Sequence, residues 1–135
     1  MSDAARITSG VLLLTLVAVE YGGVFLLGIL RSSNRQGFTD LQRSFFRAGH
    51  AHAGVLVILA LIAQPLIDLT TIAPTLQSLV RSGFGLTAIL IPAGFFLSPL
   101  GDGTKPNRLI LLIYLGAALL ALCLVVLGVG LLTAG

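Results

Sequence analysis

The chain has 135 residues, a formal net charge of +3, 56% hydrophobic residues and only 10% charged ones. Soluble domains carry about a quarter charged residues, and the mean hydropathy here is +1.05. Composition therefore excludes a soluble enzyme, a disordered tail and a basic nucleic-acid module. It leaves a small integral membrane protein with lipid rather than nucleic acid as its surroundings. Sixteen glycines and no tryptophan point to closely packed helices without a Trp belt at the interfaces.

A helix crosses the hydrocarbon core with roughly 20 apolar residues. The first such run is about 7–30, interrupted only by Glu20. The second, about 45–67, carries Arg47, His50 and His52 near its start. The third, about 76–97, contains Arg81 and Pro92, and the fourth, about 109–132, has no charge. The runs are continuous rather than alternating and too long for barrel strands. The expected fold is all-α: a polytopic four-transmembrane-helix bundle, one domain over residues 1–135. The first run reads as a span rather than a signal peptide, because residues 1–6 are weakly basic and no small-x-small pattern follows it.

Local signals place the boundaries. Thr39 to Gln42 has the T-x-x-Q form of a capping box, so the second helix starts near Asp40. Pro65 is expected to end or kink it, leaving 66–73 as a short connector before Pro74 in the first turn of the third helix. Pro92 with Gly94 is expected to kink that helix. Gly101-Asp102-Gly103 and Lys105-Pro106-Asn107 form a tight turn before the fourth. Asp68 and Arg81, near the opposite end, suit a structural ion pair. Cys123, the only cysteine, reads as a small buried hydrophobe.

Orientation follows from Lys and Arg. The loops after the first and third spans own Arg31, Arg35, Arg43, Arg47, Lys105 and Arg108, against Arg6 and Arg81 on the other side. The positive-inside rule puts those two loops in the cytoplasm. A bacterial inner membrane with both termini outside the cytoplasm is the expected setting. The basic excess also suits anionic lipid.

Depth singles out the candidate site. At 1.5 Å rise per residue, Glu20 lies about 15 Å from the cytoplasmic face, His50 and His52 about 9 to 12 Å, and Tyr114 about 8 Å. Tyr21 adjoins Glu20, and Arg47 lies a turn nearer the surface. An ionisable group in lipid costs several kcal/mol unless it meets a partner, a cofactor or water, so this layer is expected inside the bundle. Small residues surround it, among them Gly22, Gly23, Gly49, Gly54 and Gly116. They suit either close helix contact or room for a flat ligand.

The residue types narrow the chemistry. Neutral imidazole is a common metal and haem ligand, so His50 and His52 are candidate ligands of haem b or a transition-metal ion, with Glu20 a further metal ligand or proton carrier. Spacing i, i+2 turns the two imidazoles about 200° apart, so they cannot clamp one ion or form both axial ligands of one haem in a monomer. Met1 is the only methionine, which removes a His/Met haem inside the bundle. Arg47 can meet a haem propionate or a lipid phosphate or snorkel to the headgroups. Tyr114 is a further candidate contact to the cofactor. The bland alternatives are a packing histidine on a backbone carbonyl and a hydrogen-bonded structural carboxylate.

The stretch Arg47-Ala-Gly-His50-Ala-His52-Ala-Gly54 resembles the haem-ligand helix of haem-copper oxidases and nitric oxide reductases. The resemblance covers eight residues and implies a haem ligand at His50 or His52. Those enzymes have a dozen spans and further histidine ligands, which this chain lacks. The whole architecture, four spans in a short chain with one Glu in the first, resembles the small multidrug resistance transporters. That likeness implies Glu20 as a site binding protons and cationic drugs in turn, in a dimer. The absence of Trp, the two histidines and the clear charge bias depart from that family.

Three functions compete: a haem- or metal-binding protein in electron transfer or as a respiratory accessory subunit, a proton-coupled transporter or channel using Glu20, and a structural or assembly subunit. No nucleophile motif, phosphate loop or dinucleotide fingerprint appears, so the sequence offers no classical enzyme chemistry. A homo-oligomer or a larger membrane complex is the expected partner, since four helices bury little. The orientation has its own test: alkaline phosphatase fused to the C-terminus should be active and a green fluorescent protein fusion dark, and the reverse pattern would invert the topology.

Overall fold

The computed structural model describes residues 1–31 and 37–135, and these form four long helices with no strand among them. They are α1 (Asp3–Arg31), α2 (Asp40–Asp68), α3 (Pro74–Leu97) and α4 (Leu111–Leu132), the last preceded by a 3₁₀ turn at Arg108–Ile110. All four are long and apolar enough to cross a membrane. Part of the loop between α1 and α2, including Arg35, lies outside the described residues.

The helices pack in chain order. α1 lies on α2, α2 on α3 and α3 on α4, with α2 and α4 only lightly in touch. α1 therefore packs extensively against α2 alone. Its inward residues Ala5, Leu12, Leu16, Val19, Gly23 and Leu26 are spaced by three, four or seven positions, the spacing of one narrow helical stripe. α4 is apolar all round, as expected for a helix whose outer face meets lipid rather than water. The core gathers Val57, Ala60, Ala63, Val80, Phe84 and Cys123 around Leu12 and Leu127.

Glycine sets how closely α3 and α4 approach. A Cβ on Gly94 would lie 2.6 Å from Cγ1 of Ile113 and 2.9 Å from its backbone nitrogen. One on Gly116 would lie 2.6 Å from Ile91 Cγ1, and one on Gly83 would strike the Cys123 sulfur. Small residues bring helix backbones together in this way. Cys123 is buried, as its apolar context implies.

Each end of the bundle is tied by a polar knot. At one end Arg81 Nη1 donates to Gln64 Oε1 (2.9 Å) and to Gln64 O (3.2 Å), while Nη2 donates to Asp68 Oδ1 at 2.8 Å. The Ser2 hydroxyl donates to the same carboxylate oxygen at 2.8 Å. The Arg81–Asp68 pair is well shielded, with side chains 8% and 15% exposed. At the other end the capping box forms: Gln42 N donates to Thr39 Oγ1, and Thr39 N donates to Gln42 Oε1. The same two residues reach across the fold, Thr39 Oγ1 to Gly103 O (2.8 Å) and Gln42 Nε2 to Pro99 O (3.0 Å). Gly103 has φ +69, and a Cβ there would meet Thr39 and Gln42 at 2.8 Å, so only glycine serves that turn. In the same loop Asp102 accepts from Thr104 N at 3.0 Å, which holds its carboxyl below the usual carboxylate range.

Several boundaries differ from those expected. α1 begins at Asp3, ahead of the apolar run, because its first turn is held by Asp3 and Arg6, paired at 3.0 Å. Hydropathy marks where a helix meets lipid, not where its hydrogen bonds start. Pro65 does not end α2, which continues to Asp68. A proline in a spanning helix costs one backbone bond that neighbours can offset, and here Asp68 is fastened to α3 through Arg81. The connector shrinks to 69–73. Pro74 stands in the first turn of α3 as its position implied, and Asn107 caps the start of the last helical segment, accepting from Leu109 N at 2.8 Å.

Gly94→Ala should cost about 1–3 kcal/mol, the range for overpacking a tight contact. Gly10→Ala, where a Cβ meets nothing within 4 Å, should change little. Reversible unfolding in mixed micelles checks the contrast, and equal stabilities would remove the argument for glycine-limited packing.

Candidate functional site

The helix contacts fix which residues share a level. Gly22 and Gly23 face His50, and Gly54 faces Val19. Glu20 and Tyr21 on α1 are therefore level with His52 and Ala53 on α2. Gly49 meets Phe95 and Phe96, Gly94 meets Leu112 and Ile113, and Gly116 meets Leu90 and Ile91. Those contacts place Pro92 on α3 and Tyr114 on α4 at nearly the same level. The expected polar layer exists in depth.

Its direction differs from expectation. Glu20, Tyr21, His52 and Tyr114 are all exposed on the outside of the described helices, the two tyrosines by 77% and 63%. Only His50 turns inward, half-buried between α1 and α2. The reason is helix phase. The inward stripe of α1 runs through Val19 and Gly23, and each step along a helix turns about 100°, so Glu20 and Tyr21 are carried off it. α4 presents Gly116 to α3, and Tyr114, two residues away, points elsewhere.

The two histidines are not equivalent. His52 Nδ1 lies 2.7 Å from the Ala48 carbonyl, which can only accept, so Nδ1 carries the proton. Its ring stacks on Phe95 with centroids 4.7 Å apart. His50 has no hydrogen-bond partner among the described residues. Its ring enters the seam where α1 has no side chains: a Cβ on Gly23 would sit 2.8 Å from Nε2, and one on Gly22 would sit 4.0 Å from Nδ1.

Beside His50 is a half-open cavity of about 380 Å³ lined by Gly22, Phe25, Leu26, Ile29, Phe38, Phe46, His50, Phe96 and Leu100. Its wall is almost wholly apolar, and His50 is the one polar side chain in it. Phe46 stacks on Phe96 and meets Phe38 edge-on, which stiffens one side. Ligand pockets of this kind, apolar with few polar groups, usually span about 300–1,000 Å³.

The candidate metal ligands do not converge, as the i, i+2 spacing of the two histidines implies. His50 faces α1, His52 lies against α3, and Glu20 is outside. Among the described residues no group of three or more His, Cys, Asp or Glu side chains is assembled. Arg47, the expected propionate partner, is exposed, consistent with a side chain that snorkels. Arg43, read as a topology charge, is half-buried with Nε and Nη2 shielded and unpartnered among the described residues. It precedes His50 by seven residues, two helical turns, and so shares its face. Heptad spacing from His50 was the signal that could have singled it out. Gln64, central to the other polar knot, was also missed; a glutamine in an unbroken apolar run was its only mark.

No protein-family model matches this chain, and neither a curated protein nor a solved structure is similar enough to it to indicate a family.

Gly23→Ala should push the His50 ring out of the seam, while Gly28→Ala, with open space at its Cβ, should not. Diethyl pyrocarbonate labelling read by mass spectrometry would report a faster reaction at His50 in the first variant only. Unchanged labelling in both would mean that the glycines do not seat the ring.

Proposed function

We propose that the chain is a small integral membrane protein that holds a flat lipophilic redox group beside His50. Its role would be electron transfer, as an accessory subunit of a respiratory complex. The observation that carries the reading is an imidazole without a hydrogen-bond partner in the wall of an otherwise apolar, aromatic pocket. The ring is half-buried, so a ligand that engages it gains a polar contact in otherwise apolar surroundings. Haem b is the group that the Arg47–Gly54 stretch points to, with His50 rather than His52 as its ligand. Arg43, about 10 Å along α2 from His50 at 1.5 Å per residue, is placed for an acidic side arm. A half-open pocket of this size takes one edge of a macrocycle and leaves the rest toward lipid.

A second reading rests on the orientation of the ring. Nε2 abuts Gly23, while Nδ1 lies toward Gly22, which lines the cavity. Turned toward the cavity, whose wall exposes almost no polar surface, that nitrogen would donate a hydrogen bond to a carbonyl oxygen, as on a quinone head. Proton-coupled transport through Glu20 has less support, because Glu20 stands outside the packed helices and away from the cavity.

Absorption spectra of the detergent-purified protein, oxidised and dithionite-reduced, test the haem reading. A Soret band should be lost in His50→Ala and kept in His52→Ala. If the folded protein is colourless and metal-free, the haem reading falls. Quenching of a fluorescent quinone analogue, abolished by His50→Ala, would then support the second reading, and no quenching would end both.

A further inference from the structure

Two consecutive residues of α2 fix how its neighbours stand. His50 meets α1 at Gly22 and Gly23, and Gly49 meets Phe95 and Phe96 of α3. One step along a helix turns about 100°, so α1 and α3 lie on α2 about that far apart. Packed helices stand roughly 8–10 Å axis to axis. With that spacing to α2 on both sides, the axes of α1 and α3 are roughly 12–15 Å apart at this level, too far to interlock. A cleft is left between them, with α2 as its floor.

The cavity beside His50 is this cleft. Phe25 of α1 stands on one side, Phe96 and Leu100 on the other, and Phe46 and His50 lie beneath. Among the described residues none of α4 lines it. Toward the Arg81 end Leu12 of α1 joins the core with Phe84 of α3, and the cleft is shut there. Its mouth therefore opens sideways, toward the lipid that surrounds helices of this length and polarity. Phe25 and Leu100, 67% and 49% exposed, form the rim, whereas Phe46 is buried.

We infer that the group held beside His50 is a quinone bearing a long apolar chain, its head in the cavity and its chain leaving between Phe25 and Leu100. The inference deepens the quinone reading of the site and rests on it. His50 is the one polar side chain in the wall, so it engages one polar end of a ligand and everything else in the cavity and its mouth meets apolar groups. A carbonyl of the head accepts from Nδ1, and the chain passes from the apolar wall into lipid without crossing water. Phe25 and Leu100 therefore select for the chain, and His50 selects for the head.

Two benzoquinones with one headgroup test this on the detergent-purified protein, one bearing a long alkyl chain and the other a methyl group in its place. In isothermal titration, Phe25→Ala and Leu100→Ala should each weaken the long-chain quinone about tenfold, the effect of roughly 1.4 kcal/mol of lost apolar contact. Both should leave the methyl quinone unchanged, which also reports that each variant is folded, while His50→Ala should weaken both quinones. The chain has no tryptophan, so Leu100→Trp places a single fluorophore at the mouth. A brominated chain on the same head should quench it about twofold more than the unbrominated chain, and should not do so in Leu14→Trp, on the outer face of α1. Equal weakening of both quinones, no selective loss in either truncation, or no extra quenching at Leu100→Trp would each overturn the inference while leaving His50-dependent binding of the head in place. Binding of neither quinone by the folded wild-type protein would overturn it together with the quinone reading.

Discussion

One imidazole in the seam between α1 and α2 organises the rest of the candidate site. Gly22 and Gly23 carry no side chains, so the ring of His50 occupies the space where two ordinary residues would otherwise close the helices together. Toward the α1–α2 loop the same seam opens into the cavity, whose wall includes Phe25, Phe38, Phe46 and Phe96. The pocket and the unmatched histidine thus have one cause. A larger residue at 23 would displace the ring and alter the pocket together.

Two polar knots keep that seam in register. Arg81 joins Gln64 and Asp68 of α2 to α3, and Ser2 brings the start of α1 to the same carboxylate. Thr39 and Gln42 fasten the other end of α2 to the α3–α4 loop. Apolar helix faces in lipid slide past one another at little cost, because lipid tails and side chains are equally apolar. Directional bonds at both ends remove that freedom for α2. α3 is then held against α4 by glycine contacts, and α1 is held at one end by Ser2 and in the middle by His50.

Much of the fold was legible in the sequence because lipid imposes a length and a composition on whatever crosses it. Four runs gave four helices, the Thr39–Gln42 box gave the start of α2, and Asp68 with Arg81 gave an ion pair. The shared level of the polar residues along the bundle was legible too, since it depends only on counting residues from an end. What could not be read was azimuth. Whether Glu20 faces a neighbour or lipid depends on which stripe of α1 packs, and in a helix apolar on every side no hydrophobic face marks that stripe. Glycine positions were the better guide: Gly22, Gly23, Gly94 and Gly116 all lie on contact faces. Glycine alone was still ambiguous, since Gly10 and Gly28 touch nothing within 4 Å. Pro65 did not end α2, because a proline three residues from a fastened end removes a backbone bond that its neighbours can offset.

The two histidines illustrate why spacing can be more informative than identity. At i, i+2 they cannot serve one site, and the structure gives them different surroundings: an aromatic pocket without a polar partner for His50, and a backbone carbonyl with a stacked phenylalanine for His52. The satisfied ring is held on the outer side of α2 by the Ala48 carbonyl and Phe95. The unsatisfied ring keeps both nitrogens uncommitted, which suits a ligand. Ala48, Ala51 and Ala53 beside them are small enough that neither ring is forced toward the other's side. One short stretch of α2 therefore carries one imidazole turned inward and one turned outward, separated by about half a helical turn and by two residues of sequence.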